Sequence, residues 1–287
     1  MNEHYEALMK LKGAEELHAL IKKWDALSSN ISVMPENAPI LLPDLLLYTK
    51  PGYGNTELLQ LLSDYLESKQ NLMTFCGDVK FFEFLLNYTP PGENFRELGR
   101  LMEEVRLAAG FRNEYRGIVR IKMDEWLGHH EEKHFFEFLE YLSVNSDNWL
   151  IILTLSKPCG EKSKEMEAVL SMYLRIETVQ LRLPDSGGIM EYVESQLAVY
   201  GLTMEEDAKA LLRESVKRLR KNKYFDGMHT IRLFCSDIAY YCFSGPLGGK
   251  KNLRAEDLAC FAADSEYISR KIMKTESTRI GFDVYGG

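Results

Sequence analysis

Apolar residues follow two different spacings in the part of the chain before residue 184. Continuous runs at residues 41–48 and 149–155 are typical of strands that are buried on both faces of a parallel sheet. In segments 95–109 and 131–142 the apolar residues instead recur every three or four positions, which predicts amphipathic helices. Strands that alternate with helices indicate an α/β sheet with crossover helices.

Other segments extend this pattern. Residues 8–27 have apolar positions at helical spacing and are predicted to form one helix or a pair. The sequence Phe-Phe-Glu-Phe occurs at 81–84 and at 135–138, and we interpret both copies as aromatic helix faces. Three further strands are predicted, at residues 71–76, 117–124 and 178–183.

The pattern changes near Pro184. Beyond it the chain reads as helices with no strand among them, at residues 189–200, 204–220, 230–243 and 255–272. We therefore expect two domains, an α/β domain at residues 1–183 and an all-helical domain at residues 184–287.

Composition excludes few functions. The chain has 287 residues, of which 45% are hydrophobic and 27% charged, as in ordinary globular proteins. Its net charge of -8 gives no broad electrostatic reason to bind nucleic acid. A basic stripe at residues 217–223 is interpreted as a solvated helix face and the loop after it.

The compartment is predicted from three further features. The N-terminus lacks the basic start and apolar core of a signal peptide. The longest apolar run is too short to cross a bilayer. Five scattered cysteines without C-x-x-C spacing are typical of free thiols in a reducing compartment. We expect a cytoplasmic protein that does not contact a membrane.

A glycine-containing turn follows the first predicted strand and precedes a helix, which is the order that a phosphate cradle requires. A complete phosphate-binding loop reads G-x-x-x-x-G-K-[ST]. Here Thr49 replaces the first glycine, Gly52 and Gly54 are present, Asn55 replaces the lysine, and Thr56 keeps the hydroxyl that binds magnesium. The alternative is an ordinary turn before a helix.

A second motif ends the strand predicted at 117–124. Asp124 at such a strand end can hold Mg²⁺ through water, and Glu125 can polarise an attacking water. The alternative is that the two carboxylates only end a strand in solvent. Arg120 and Lys122 favour that alternative slightly, because they make the strand less apolar than a central strand should be.

A competing motif occurs at residues 130–134, which fit the zinc-protease pattern H-E-x-x-H. His130 and His134 would bind the metal and Glu131 would activate water. The alternative is the solvated start of a helix, whose buried face carries the aromatic and leucine residues that follow.

The order of these parts resembles the AAA+ ATPases. Residues 51–56 resemble the Walker A loop P-G-x-G-K-T, and residues 121–125 resemble Walker B. Ser156, at the end of the next predicted strand, lies where these proteins place the sensor 1 residue. Arg175, followed by isoleucine, resembles the arginine finger that completes the nucleotide site of the neighbouring subunit in a ring.

The helical domain resembles the lid of the clade that contains rubisco activase and a sporulation protein. Residues 224–232 resemble its motif F-G-N-A-R-x-[VI]-R, with His229 at the sensor 2 arginine and Arg232 at the final arginine. Residues 8–21 resemble the opening helix of that clade.

The resemblance implies a three-layer P-loop NTPase (AAA+) domain with a parallel sheet, followed by an all-α lid. It implies ATP or ADP with Mg²⁺ as cofactor, with the metal held by Thr56 and Asp124 and catalysis by Glu125, Ser156 and Arg175. The remaining nucleotide contacts would come from Pro51, Gly52, Tyr53, Gly54, Asn55, Thr56, His229 and Arg232.

Two departures from the family pattern remove positive charge, at Asn55 and at His229. A charge-assisted contact contributes roughly 1.5–3 kcal/mol. We therefore expect a degenerate subunit with weak or absent hydrolysis. Its expected partners are proteins, in a homo- or hetero-oligomeric ring, with no membrane and no nucleic acid. The alternatives are an active ATP-dependent remodelling ATPase and, more distantly, a zinc hydrolase.

Overall fold

The computed structural model describes residues 3–34, 42–73, 81–88, 117–145, 149–156, 160–245 and 247–273. Contacts divide the chain into two compact units, Met1–Arg182 and Leu183–Gly287. Each unit has its own apolar core.

A five-stranded sheet forms the centre of the first unit, with all neighbouring strands parallel and the order β2-β3-β4-β1-β5. The strands are β1 (Asp44–Tyr48), β2 (Phe81–Leu85), β3 (Gly117–Lys122), β4 (Trp149–Leu155) and β5 (Ile176–Gln180). The described helices are α1 (Glu3–Met9), α2 (Glu15–Asn30), α3 (Asn55–Ser68), α4 (Lys133–Asn145) and α5 (Glu161–Tyr173).

Alternate residues of the strands pack into two different cores. In β1, Leu45 and Leu47 belong to the core that contains residues of α1, α2 and α3. Leu46 and Tyr48 belong to the core that contains residues of α4 and α5. All five residues of β1 and all seven of β4 are buried. The sheet is therefore covered on both faces, which gives three layers, as the continuous apolar runs predict.

Strand β3 contains a buried cation. Arg120 is only 5% exposed, and it is in register with Glu83 of the neighbouring β2. The Arg120 guanidinium donates a hydrogen bond to the Glu83 carboxylate. This cross-strand pair explains why an inner strand of the sheet carries an arginine, and Arg120 therefore does not indicate that β3 ends in solvent.

The second unit is mainly helical. Its helices are α6 (Ser186–Val199), α7 (Glu206–Arg220), α8 (Gly227–Ser244) and α9 (Glu266–Met273), with a 3₁₀ helix at Ala255–Phe261. Asp185 caps α6, because its carboxylate accepts the N–H of Gly188 at 2.7 Å. No helix in the described parts of the chain is both long and apolar enough to span a membrane.

The structure corrects four sequence predictions. The residues 81–84, interpreted as a helix face, form strand β2. Of the strand predicted at 71–76, the described residues 71–73 form a turn. The second unit contains a small parallel sheet of β6 (Thr203–Met204) and β7 (Asn252–Leu253), where no strand was predicted. The helix predicted at 255–272 is a 3₁₀ helix followed by α9. The helix predicted at 95–109 lies outside the described residues.

The buried carboxylate at the start of β1 gives a first test of the fold. Asp44 is 4% exposed, and its Oδ1 accepts the backbone N–H of Ile151 in β4 at 2.9 Å. A buried donor that loses its acceptor costs about 1–3 kcal/mol. We expect Asp44→Ala to lower the free energy of unfolding by that amount, measured by denaturant titration. Asp44→Asn keeps an acceptor oxygen and should lose less, so equal losses would contradict the assignment.

Candidate functional site

The carboxyl ends of three neighbouring strands bring together the sequence-predicted residues of the first unit, with the exception of Arg175. The loop at residues 49–54 follows β1, Asp124 follows β3, and Ser156 follows β4. Strand β4 lies between β1 and β3. Neighbouring strands are separated by about 4.8 Å, so the ends of β1 and β3 are about 10 Å apart.

The loop has the backbone of an anion cradle. Gly52 and Gly54 have φ angles of 78° and 86°, which side chains with a Cβ rarely adopt. Helix α3 begins directly afterwards at Asn55. The first N–H groups of a helix have no carbonyl one turn earlier to accept them, and the helix dipole makes this end attractive to anions. Pro51 and Tyr53 complete the turn, and Thr56 lies in the first turn of α3 with its side chain exposed.

The side chain of Asn55 is folded back into the loop. Its Oδ1 accepts a hydrogen bond from the buried Thr49 hydroxyl. Its Nδ2 donates to the Lys50 carbonyl at 3.3 Å, and the Tyr53 N–H donates to the same oxygen at 3.2 Å. A lysine at position 55 has no acceptor to offer Thr49. The amide therefore stabilises the loop through contacts that the lysine of a complete Walker A motif cannot make.

The charges around the loop fit a nucleotide only in part. Lys50 is exposed on the loop, but Glu57, also exposed, places a carboxylate in the first turn of α3. Asp124 and Glu125 add two more carboxylates at the same edge. The backbone amides and the Thr56 hydroxyl fit phosphate and Mg²⁺, whereas position 55 supplies no cation to offset the phosphate charge.

Two adjacent carboxylates point in opposite directions along this edge. Asp124 Oδ1 accepts the N–H of Ser156 at 2.6 Å, on the side of β3 that faces β4 and β1. Glu125 Oε2 accepts the N–H of Tyr88 at 2.9 Å, just beyond the end of β2. Because β2 lies on the other side of β3, the Glu125 carboxylate is directed away from the loop.

Tyr88 is held by a polar and aromatic cluster next to Glu125. Its ring stacks on the His129 ring with the centroids 3.8 Å apart, and its hydroxyl donates to Glu132 Oε1 at 2.8 Å. His129 Nδ1 is 2.7 Å from the same oxygen. Burial acts to raise the pKa of the Glu132 carboxyl, but hydrogen bonds from Tyr88 and His129 bring that pKa below its usual value. The hydrogen bond to Glu132 raises the pKa of the Tyr88 phenol.

Neither Tyr88 nor the role of Thr49 was predicted from the sequence. A strand at 81–85 ends three residues before Tyr88, so correct recognition of β2 would have placed Tyr88 at the same edge as Asp124. The signal was present, because Phe82 and Phe84 alternate with Glu83. The Thr49 contact had no comparable signal, because it depends on the direction of the Asn55 side chain.

Arg175 lies at the amino ends of the strands, opposite to the loop. It directly precedes β5, and its carbonyl accepts the N–H of Asp44 at the start of β1 at 2.8 Å. The loop follows the other end of β1, a strand of five residues that spans about 16 Å. The structure therefore does not bring Arg175 together with the loop of its own chain.

His229 and Arg232 belong to the second unit. Both are exposed in the first turns of α8, where an Arg232 Nη2 donor lies 3.3 Å from His229 Nδ1. The helix begins at Gly227, whose φ of 49° suits a glycine. The two side chains therefore form a local pair on one helix.

The structure does not support the zinc alternative. Helix α4 begins at Lys133, so His130 and Glu131 precede it and the two histidines do not share a helix face. His130 Nε2 is 3.6 Å from Glu165, and His134 Nδ1 is 3.2 Å from Glu137. Across the described ranges, no group of three His, Cys, Asp or Glu side chains could hold a metal ion.

Solved structures of AAA+ ATPases resemble this chain. C. elegans PCH-2 is 13% identical with a TM-score of 0.54, and the match covers 94% of this chain and 73% of that one. A mutant of Thermotoga maritima RuvB is 14% identical with a TM-score of 0.51, and that match covers 93% of this chain and 78% of the RuvB chain. No protein-family model and no curated protein matches the sequence.

Both of these proteins are AAA+ ATPases. At such low identity the likeness shows the fold alone. Together with the parallel five-stranded sheet, it confirms the predicted class: the chain has the fold of an AAA+ ATPase, an α/β P-loop domain.

The Tyr88 cluster gives a test that depends on pH. Tyr88→Phe removes a hydrogen bond that favours the ionised Glu132, so we expect the pKa of Glu132 to rise, measured by NMR titration of its carboxyl carbon. The stabilisation exists above the unfolded glutamate pKa of about 4.3 and is lost as pH falls through the lower folded pKa. The stability difference between wild type and variant should therefore shrink in acid. Tyr173→Phe, at a half-buried ring without a bond to Glu132, is the matched control.

Proposed function

We propose that this protein is a degenerate AAA+ ATPase-like subunit, which keeps the fold but binds nucleotide weakly and hydrolyses it slowly or not at all. The observation that carries the proposal is the side chain of Asn55. It stands at the lysine position of the loop and makes hydrogen bonds with Thr49 and Lys50.

Two separate losses follow from that side chain. A charge-assisted contact with phosphate contributes about 1.5–3 kcal/mol, and contacts that strengthen in the transition state contribute more. In addition, a phosphate that displaced the Asn55 amide would break its two hydrogen bonds within the loop. In the helical domain, His229 stands where the family resemblance predicts an arginine. We propose that the nucleotide site lacks a second positive charge there, in addition to the one missing at position 55.

The carboxylates support a partial loss rather than a complete one. We propose that Thr56 and Asp124 would hold Mg²⁺ if nucleotide bound, and that Ser156 is the polar sensor next to Asp124. Glu125 is the proposed catalytic base, but its carboxylate is bound to the Tyr88 N–H. In that orientation the carboxylate is directed away from the loop, so it would have to rotate to act on a water there.

We also propose that the subunit works in a protein-remodelling ring and lends Arg175 to a neighbour. The exposed position of Arg175, at the edge opposite its own loop, is consistent with action on another chain. The finer resemblance, to the rubisco-activase clade, rests on residues 224–232 and on the opening helix, and we propose it on that basis.

Calorimetric titration with Mg-ATP and Mg-ADP tests the central claim. We expect weak binding by the wild type and at least about tenfold tighter binding by Asn55→Lys, because one charge-assisted contact is gained. Asn55→Ala is the matched control, since it removes the same loop bonds without adding charge, so Asn55→Lys should also bind about tenfold more tightly than Asn55→Ala. Micromolar binding with measurable turnover in the wild type would instead establish an active ATPase.

The role of Arg175 can be tested by mixing chains. If Asn55→Lys restores hydrolysis, adding Arg175→Ala to the same chain should lower the rate about 10³-fold while leaving its nucleotide affinity unchanged. Wild-type chains, which carry Arg175 but no lysine at position 55, should restore the rate when mixed in.

Arg182→Ala in the Asn55→Lys background is the control, because Arg182 is an exposed arginine of the same unit that pairs with Glu16. A rate that is insensitive to Arg175, or that wild-type chains cannot restore, would exclude action between subunits.

A further inference from the structure

A basic surface covers the end of α7 and the turn after it. We use this name for Arg213, Lys217, Arg218, Lys221 and Lys223, all of which are exposed. With about 100° of rotation per residue, the first four of these side chains, from Arg213 to Lys221, lie on one side of the helix. With a rise of about 1.5 Å per residue, Arg213 and Lys221 are about 12 Å apart along the helix axis. The surface is therefore an elongated cluster of cations.

Carboxylates neutralise very little of this surface. Lys217 pairs with Glu214 at 2.6 Å, but no other residue of the basic surface has an ion pair among the described residues. Elsewhere in the same unit, by contrast, five cations each have a carboxylate partner, at Lys209, Lys250, Arg254, Arg270 and Lys271. In a chain with 43 acidic and 35 basic residues, carboxylates are abundant. Their scarcity here leaves a local excess of positive charge.

The helix dipole accounts for only part of the cluster. Cations in the last turn of a helix interact favourably with its carbonyl end, which explains Lys217, Arg218 and Arg220. That effect is confined to the last turn. Arg213 lies about one turn before the last turn, and Lys223 lies beyond the end of α7.

An aromatic side chain adjoins the cations. Tyr224 is 51% exposed, and the Lys223 ammonium lies 4.8 Å from the centre of its ring. Cations that follow a phosphate backbone, next to an exposed aromatic ring on which a base can stack, are the combination that binds single-stranded nucleic acid.

We propose that the basic surface, with Tyr224, binds single-stranded nucleic acid. The cations contact successive phosphates, and the Tyr224 ring stacks on a base. This revises the expectation from the net charge of -8, because that value describes the whole chain whereas binding depends on the local potential. The proposal does not depend on nucleotide binding at the loop.

Fluorescence anisotropy with a labelled oligothymidylate tests the proposal. We expect the full-length chain to bind it at low salt, and the combined change Arg213→Gln, Arg218→Gln, Lys221→Gln and Lys223→Gln to weaken binding at least tenfold. The slope of log affinity against log salt should become shallower by about 2 to 3, since each lost phosphate contact contributes about 0.7.

Two matched comparisons separate this surface from general charge. Lys10→Gln, Lys22→Gln, Lys164→Gln and Lys251→Gln together remove the same charge from exposed sites elsewhere and should leave the affinity unchanged. Tyr224→Ala should weaken binding of oligothymidylate about fivefold or more, but not of an abasic strand with the same phosphates.

Three results would overturn the proposal. The wild type could fail to bind oligothymidylate, both sets of four changes could weaken binding equally, or polyglutamate of matched charge could compete as well as the oligonucleotide. The last result would assign the surface to an acidic polypeptide. Circular dichroism of each variant establishes that it is folded before binding is compared.

Discussion

The position of β1 against β4 is the constraint on which the candidate site depends, and apolar burial alone does not set it. Every side chain of β1 is buried, and leucines face both layers, so a slip of one residue would still bury apolar groups. The polar ends of the strand resolve this ambiguity. Asp44 accepts the N–H of Ile151 at one end, and the Thr49 N–H donates to the Leu155 carbonyl at 2.9 Å at the other. Only the first bond is specific to the register, because it needs a carboxylate at position 44, whereas a main-chain bond such as the second is available to any residue.

The proposed loss of nucleotide chemistry leaves the backbone of this end of the sheet unchanged. The backbone features of the loop are retained, because they depend on Gly52, Gly54 and the start of α3. The proposed weakening rests on side chains instead, on Asn55 and on the contact of Glu125 with Tyr88. The packing of the sheet does not depend on whether either side chain binds phosphate. Both side chains could therefore change without loss of the core.

How far the sequence predicted this structure depended on burial. Strand β4 was predicted with its observed bounds, because seven buried apolar residues in succession are a strong pattern. Strand β2 was missed, because it lies at the edge of the sheet, has half-buried aromatic residues and carries Glu83 to pair with Arg120. The asparagine at position 55 was evident from the sequence. The contact of Asn55 was not, because it depends on the direction of a side chain within the loop. The contact of Glu125 with Tyr88 joins two segments that only folding brings together.

The hydrogen bonds between the Asn55 side chain and its own loop also bear on how the stability of the chain depends on the ATP concentration. A protein that binds ATP gains stability in proportion to the logarithm of the ratio of ligand concentration to dissociation constant, so its folding is coupled to the supply of that ligand. Under the function proposed above, a loop whose Thr49 hydroxyl and Lys50 carbonyl are bonded to Asn55 has little of that coupling. The stability of such a subunit would then stay the same whatever the ATP concentration, unlike that of a protein that binds ATP tightly.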